Sequence, residues 1–140
     1  MSFVQKAGCG GFPVARSRYF AALGVVEIDS SFFNLPKLET VQAWRAEAPK
    51  GFDFALRAWQ LITHPGDSPS YSRTRAALAP KRKAFCGHFK PTPEVAGAWR
   101  ATKAVAEALG ARLLVFETPA SFYPDSNHLR DLYRFFRESD

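Results

Sequence analysis

Glu27 and Asp29 lie two residues apart in the short, largely apolar run Val25-Val26-Glu27-Ile28-Asp29. In an extended strand that spacing puts both carboxylates on one face. Carboxylates in such a setting are costly unless paired, hydrogen-bonded or metal-bound, so they call for partners. Arg57 ends a second apolar stretch, His64 follows in the next loop, and Glu117 ends a third stretch after Leu113–Phe116. A carboxylate beside an arginine stays ionised, whereas a second one packed against it can be tuned toward an acid. A histidine adds a proton carrier that titrates near neutrality. Glu27, Arg57, His64 and Glu117 are therefore the candidate catalytic set, for acid/base work on a small polar, phosphorylated or sugar-like substrate. Asp29, Phe33 and Trp59 are candidate substrate contacts, and Phe32, Phe33, Trp59, Phe122 and Tyr123 could wall a ring-bearing molecule or simply cover the strand ends. A divalent metal held by Glu27, Glu117 and His64 is chemically reasonable, although no ligand spacing marks one. The plainer alternative is a structural ion pair of Glu27 with Arg57, beside a histidine that caps its loop.

The elements that must position these residues follow from periodicity. Residues 3–7 suggest a first strand, with a tight turn at Gly8, Gly10 and Gly11. A helix over Ala15–Leu23 carries Tyr19, Phe20 and Leu23 at helical spacing and is closed by Gly24. Val25–Asp29 is a strand, and Ser30–Pro36 is the loop that leaves it. Pro36 starts a helix lined by Leu38, Val41, Trp44 or Arg45, and Ala48. Phe52–Trp59 alternates as a strand, with Phe52, Phe54 and Leu56 on one face and Asp53, Ala55 and Arg57 on the other. Thr63–Lys83 is a long loop with room for a short helix near Tyr71–Leu78. Thr92 and Pro93 cap a helix running through Val95, Trp99, Thr102, Val105 and Leu109 to Gly110. Arg112–Glu117 is a fourth strand, and a last helix presents Leu129, Leu132, Tyr133 and Phe136. Repeated alternation of strand and helix predicts an α/β fold with a parallel sheet. An open doubly wound sheet and part of a barrel both satisfy that order; in either, chemistry gathers at the carboxyl ends of the strands.

The 140 residues suit one domain, and 46% hydrophobic content with thirteen Phe gives a real core. Net charge is +6, with most of the excess in the second half. Arg73, Arg75, Lys81, Arg82 and Lys83, interleaved with Tyr71 and Phe85, could meet phosphate or single-stranded nucleic acid. A solvated basic loop is the commoner meaning of such a run. Gly8–Phe12 lacks the spacing of phosphate-binding glycine loops. Cys9 and Cys86 stand in no metal-ligand spacing, which argues against structural zinc and for reduced thiols. Cys9 has no adjacent base, so a small packed side chain is expected there rather than a nucleophile. No apolar run reaches signal-peptide or membrane-spanning length, and the cytoplasm is the expected compartment.

The segments VVEIDSSFFNLPKLETVQAW, FDFALRAWQLITHP and LLVFETPASFYPDSNHLRDLYRFF resemble the YecE-like proteins of the domain-of-unknown-function 72 family. GCGGFPVARSRYF resembles that family's first glycine-containing loop, and GHFKPTPEVAGAW a segment of its variants with a short middle region. The resemblance runs from about residue 7 to about residue 137. It implies a partial TIM-type (β/α) barrel of about four βα units of the usual eight, with residues 1–140 as the N-terminal half and a long loop at about 63–83. The family's polar rim positions match here as Glu27, Arg57 and His64, with Thr63 beside the histidine as a further substrate contact. Asp29 stands where the family commonly has Asn, and Glu117 where it has Gln; each departure adds negative charge.

Half a barrel leaves two open sheet edges, and its inner face is expected to be apolar and sticky. Completion would come from the missing barrel half, as a separate chain or a longer product, or from a second copy. The expected function is thus part of an enzyme-like barrel acting on a small molecule, with no membrane partner. The competing class is a noncatalytic binding or assembly module, for nucleic acid through residues 73–90.

Overall fold

The computed structural model describes residues 4–75 and 78–139. Four strands, β1 (Gly8–Gly10), β2 (Val25–Ile28), β3 (Asp53–Arg57) and β4 (Leu113–Val115), form one parallel sheet in the order β1-β2-β3-β4. Gly10, Glu27, Ala55 and Leu113 lie level across all four strands, and Arg57 lies beside Val115. Helices α1 (Arg16–Ala22), α2 (Leu38–Glu47) and α5 (Pro93–Leu109) connect them, and α6 (Ser126–Glu138) follows β4.

The core forms on the face where alternation places Val26, Ile28, Phe54 and Leu56. Tyr19 of α1, Val41 of α2 and Val105 and Leu109 of α5 close over them, so these helices cover the same side of the sheet. The Tyr19 hydroxyl accepts from the Cys9 N–H at 2.6 Å and donates to the Val25 carbonyl at 2.9 Å, joining β1 to β2. The first strand lies in the glycines, not at 3–7, of which residue 3 is outside the described range. The pairing explains the shift: a Cβ at Gly8 would stand 1.9 Å from the Val25 carbonyl oxygen, so only glycine can run this close. Leu23 rather than Gly24 caps α1, and Leu38 of α2 is exposed although its spacing matches the buried Val41.

The opposite face of the sheet is not the apolar surface expected. Asp53 is paired there with Lys6 at 2.6 Å and Arg112 at 3.7 Å, and further along the strands, level with residues 55 and 57 of β3, come Glu27 and Arg57. Val25, Ala55, Leu113 and Val115 fill between these charges.

A second apolar cluster lies beyond the strand ends, where Ala58, Leu61, Ile62, Phe89, Val95, Ala98 and Phe135 pack with Trp99, Phe116 and Phe122. The loop after β3 contributes α3 (Gln60–Thr63), a 3-10 turn at Pro69–Arg73 and α4 (Pro80–Lys83). The expected helix near Tyr71–Leu78 is therefore replaced by a shorter, earlier turn, and residues 76–77 lie outside the described range. Gln60 organises this loop: its buried amide accepts from Ser70 at 2.6 Å and donates to the Thr74 hydroxyl. Leaving such a group unpaired would cost about 1–3 kcal/mol, so the loop is tied to it.

Gly87, His88 and Phe89 have φ of 83°, 52° and 54°, three consecutive left-handed residues of which two carry side chains. Their N–H groups donate to the carbonyls of Leu61, Thr63 and Ile62 at 2.8, 3.0 and 2.9 Å, which offsets the strain. Helix α5 matches its sequence signals, with the Thr92 side chain accepting from the Val95 N–H and Gly110 closing the helix at φ 64°. In α6 the Asp125 carboxylate caps by accepting from the His128 N–H at 2.8 Å. Of the expected inward stripe of α6, Leu132 packs against the second cluster, but Leu129, Tyr133 and Phe136 are exposed, whereas Phe135 and Asp131 are buried. The Phe89, Trp99 and Phe116 rings receive Phe135, and Arg134 donates to the Phe89 carbonyl at 3.2 Å, which sets the rotation of the helix.

Candidate functional site

Arg57, at the carboxyl end of β3, extends between two carboxylates. Its Nε donates to Glu27 Oε1 at 3.0 Å, and its Nη1 lies 3.1 Å from Glu117 Oε2. Strand order alone brings this about, because β2 and β4 flank β3 and each supplies one acid from or just past its end. Ser31 fixes the spacing from below: its hydroxyl lies 2.6 Å from the Ile28 carbonyl and 2.5 Å from the Arg57 carbonyl, bridging the ends of β2 and β3. Phe32 is the apolar floor, with the guanidinium 6.0 Å from its ring centre and the His64 ring edge-on at 4.8 Å.

His64 is half-buried and held on three sides. Its N–H donates to the Gln60 carbonyl at 2.8 Å, its own carbonyl accepts from the Tyr71 hydroxyl at 3.0 Å, and its Nδ1 lies 2.9 Å from Thr63 Oγ1. Burial holds the imidazole below its ordinary value, with Glu117 pulling the other way. The ring is thus neutral at physiological pH, with its Nδ1 engaged. Burial likewise pushes the Tyr71 phenol far up, so that hydroxyl serves as a fixed donor.

The structure brings Glu27, Arg57, Glu117 and His64 to one rim, with the buried Thr63 at its edge. Asp29 leans toward β1 instead: a Cβ on Gly10 would lie 2.9 Å from Asp29 Oδ2. Phe33 is not an open wall, since the Arg73 guanidinium covers its ring at 3.7 Å. Trp59 Nε1 donates to the Phe33 carbonyl at 3.3 Å, which makes it a tie between loops. The ligand set Glu27, Glu117 and His64 considered for a divalent metal is not formed, because Arg57 occupies the place between the carboxylates. Among the described residues no group of three or more His, Cys, Asp or Glu side chains is disposed to hold a metal ion. Cys9 is exposed rather than packed, and Cys86 is buried, with its thiol pushed up by that burial. Several basic residues of the 73–90 region are engaged internally: Arg73 on Phe33, Arg82 with Glu94 at 3.4 Å, and Lys90 with the Ala84 and Cys86 carbonyls at 3.1 and 3.3 Å.

Residues 15–140 match the family described as "Protein of unknown function DUF72". The chain belongs to the DUF72 family. It is similar to a DUF72 family protein from Enterococcus faecalis V583, known from two crystal structures, at 17% and 15% sequence identity and a TM-score of 0.63 in each case. The alignment covers 94% of this chain and 46% of that one, so this DUF72 chain spans about half the length of its solved relative. At such identity the likeness shows the fold. No curated protein matches. The family membership implied by the quoted sequence segments is thus established, and none of the helices among the described residues is long and apolar enough to cross a membrane.

Beside the rim of this DUF72 chain the structure gathers three residues that sequence reasoning did not connect: His88, Ser121 and His128. No spacing links them. The one available signal was that the chain has only three histidines and that two of them flank the aromatic pair Phe122-Tyr123 and the glycine of GHF.

Proposed function

We propose that this DUF72 chain acts as an enzyme on a small hydroxylated or anionic substrate, by proton transfer at the rim formed by the ends of β2, β3 and β4. The observation that carries the reading is Arg57 held by Glu27 and Glu117 beside the neutral, half-buried His64. The carboxyl ends of parallel strands are where α/β folds place their ligands. In this reading Arg57 binds a substrate oxygen, Glu27 and Glu117 hold the guanidinium in place, and His64 accepts or returns a proton through Nε2. A structural ion pair would not require a fixed neutral imidazole beside it. The experiment is ligand-observed NMR against a panel of sugars, sugar phosphates and small carboxylic acids. Binding of one class, abolished in Arg57→Met, supports the reading; no binding in any class, or equal binding by the variant, overturns it.

The same reading takes residues 1–140 as four βα units of an eight-unit parallel barrel completed by another polypeptide. The sheet order runs in sequence without the reversal that a doubly wound sheet requires. The solved relative is about twice as long, and the exposed stripe of α6 lies on the helix that follows the edge strand β4. Light scattering distinguishes the sources of the remaining units. A discrete dimer identifies a second copy of the chain, whereas a stable monomer that recruits none leaves the barrel reading without support.

A further inference from the structure

Two of the chain's three histidines, His88 and His128, come together beside the loop that carries the third, the His88 backbone N–H donating to the Thr63 carbonyl at 3.0 Å. The His88 and His128 rings stand edge to face with centres 4.7 Å apart, and Phe122 lies against both at 5.7 and 4.8 Å. His88 Nε2 is 3.0 Å from the exposed Ser121 hydroxyl. His128 Nδ1 is 2.8 Å from the Tyr123 carbonyl, an acceptor only, so that nitrogen carries the hydrogen and Nε2 is the free position. The backbone that presents His88 is the left-handed segment Gly87–Phe89, a conformation that persists only where surrounding structure imposes it.

The charges around this group are of both signs. Burial first, then His128, Lys90 and His64, disfavour protonation of His88, whereas Asp67 acts the other way and Asp125 interacts with both rings. The Asp125 carboxylate lies 3.4 Å from His128 Nδ1, on the side away from the free Nε2, and Arg134 sits on the Phe89 carbonyl. A hydroxyl and two imidazoles that become N–H donors on protonation suit a ligand rich in acceptor oxygens. A cation would find only two imidazole ligands here, and among the described residues no group of three or more is disposed to hold one.

We propose that His88, Ser121 and His128 form a subsite for a tetrahedral oxyanion, the phosphate or sulfate group of a substrate. Ser121 donates through its hydroxyl, and the two imidazoles donate through ring N–H groups when protonated. Binding and protonation are therefore linked: the anion stabilises the charged rings, and affinity rises as pH falls through their titration. The subsite deepens the reading of the rim by naming the anionic part of its substrate, but its donors are separate from Arg57, so the two can fail separately.

The test is an NMR titration of the imidazole Cε1–H signals with sulfate, which does not itself titrate in this range, against chloride at equal ionic strength. Sulfate is expected to raise the midpoint of His88 by about half a pH unit, a roughly threefold preference for the charged form, and to move the His128 signal at fixed pH. His64 should move less, and Arg57→Met should keep the response. His88→Asn, chosen because Asn tolerates left-handed backbone, should abolish the response at His128. Should that variant fold poorly, Ser121→Ala on the exposed loop gives the same comparison and should weaken sulfate binding. Equal shifts in chloride and sulfate, or an undiminished response in both variants, would overturn the proposal. So would loss of the response in Arg57→Met, which would place the anion on the guanidinium.

Discussion

Gly87→Ala tests whether the left-handed segment after α4 is locked by the packing described. A Cβ at Gly87 would stand 2.3 Å from the His64 carbonyl carbon, 2.4 Å from Pro65 N and 2.5 Å from the His64 oxygen. All three are backbone atoms, so no side chain can turn aside; restoring ordinary contact means a displacement of about 1 Å. The same segment donates three N–H bonds, to Leu61, Thr63 and Ile62, each with a net worth of about 1 kcal/mol. Losing two of them and placing alanine at φ 83° costs about 3–4 kcal/mol, of which the stiffer unfolded chain returns somewhat under 1. Gly51→Ala is the matched control, since Gly51 has the same φ of 83° but nothing within 4 Å of the added methyl. It bears only the conformational cost, about 1 kcal/mol or less after the same offset. Urea unfolding followed by tryptophan fluorescence, with m-values compared, measures both. The expected gap between the variants is about 2 kcal/mol, the two lost hydrogen bonds, since the dihedral cost and the offset are common to both. Equal losses in the two would refute the claim that contact, rather than dihedral angle, fixes this loop.

Three further outcomes follow from the same structure. Burial holds His64 and His88 below the ordinary imidazole value, so on acidification the unfolded chain takes up protons first. Stability should be level above about pH 6.5 and fall below it, with a shallower fall in His64→Gln, as followed by urea midpoints across pH. A thiol reagent should modify exposed Cys9 quickly and buried Cys86 only on unfolding, giving one fast and one slow phase. Phe135→Ala should cost about 3 kcal/mol by emptying the ring cluster, whereas Tyr133→Ser, roughly half a helical turn round from it and facing solvent, should change stability by under about 0.5 kcal/mol.

Periodicity and caps made much of this fold legible. Thr92, Pro93 and Gly110 bound α5 because capping depends on near neighbours in the chain, and the alternation in Val25–Ile28 and Asp53–Arg57 separates core from rim by geometry alone. Glu27, Arg57 and Glu117 could be brought together from the sequence because strand ends in a parallel sheet share one edge. The rotation of α6 could not be read in this way: its apolar stripe shows which residues avoid water, but the partner surface at Phe89 and Trp99 decides which of them succeed. The strand at Gly8–Gly10 was hidden because glycine has no strand preference, and only the 1.9 Å approach to Val25 explains its presence. His88 was hidden for a related reason, since a left-handed histidine is imposed by hydrogen bonds from a distant segment and carries no local signature.

The helix-free face of the sheet carries its counter-charges with it: Asp53 has Lys6 and Arg112, while Glu27 and Glu117 share Arg57. Covering a surface normally strips water from lone charges, and that penalty grows steeply when a charge is left without a partner. Here each carboxylate has already exchanged part of its hydration for an ion pair within one chain. The face is therefore tolerant of both surroundings, wet when the chain is alone and drier when another molecule lies over it. Were the barrel reading to hold, the sheet could fold first and be covered afterwards, since no partner would have to arrive in time to neutralise it.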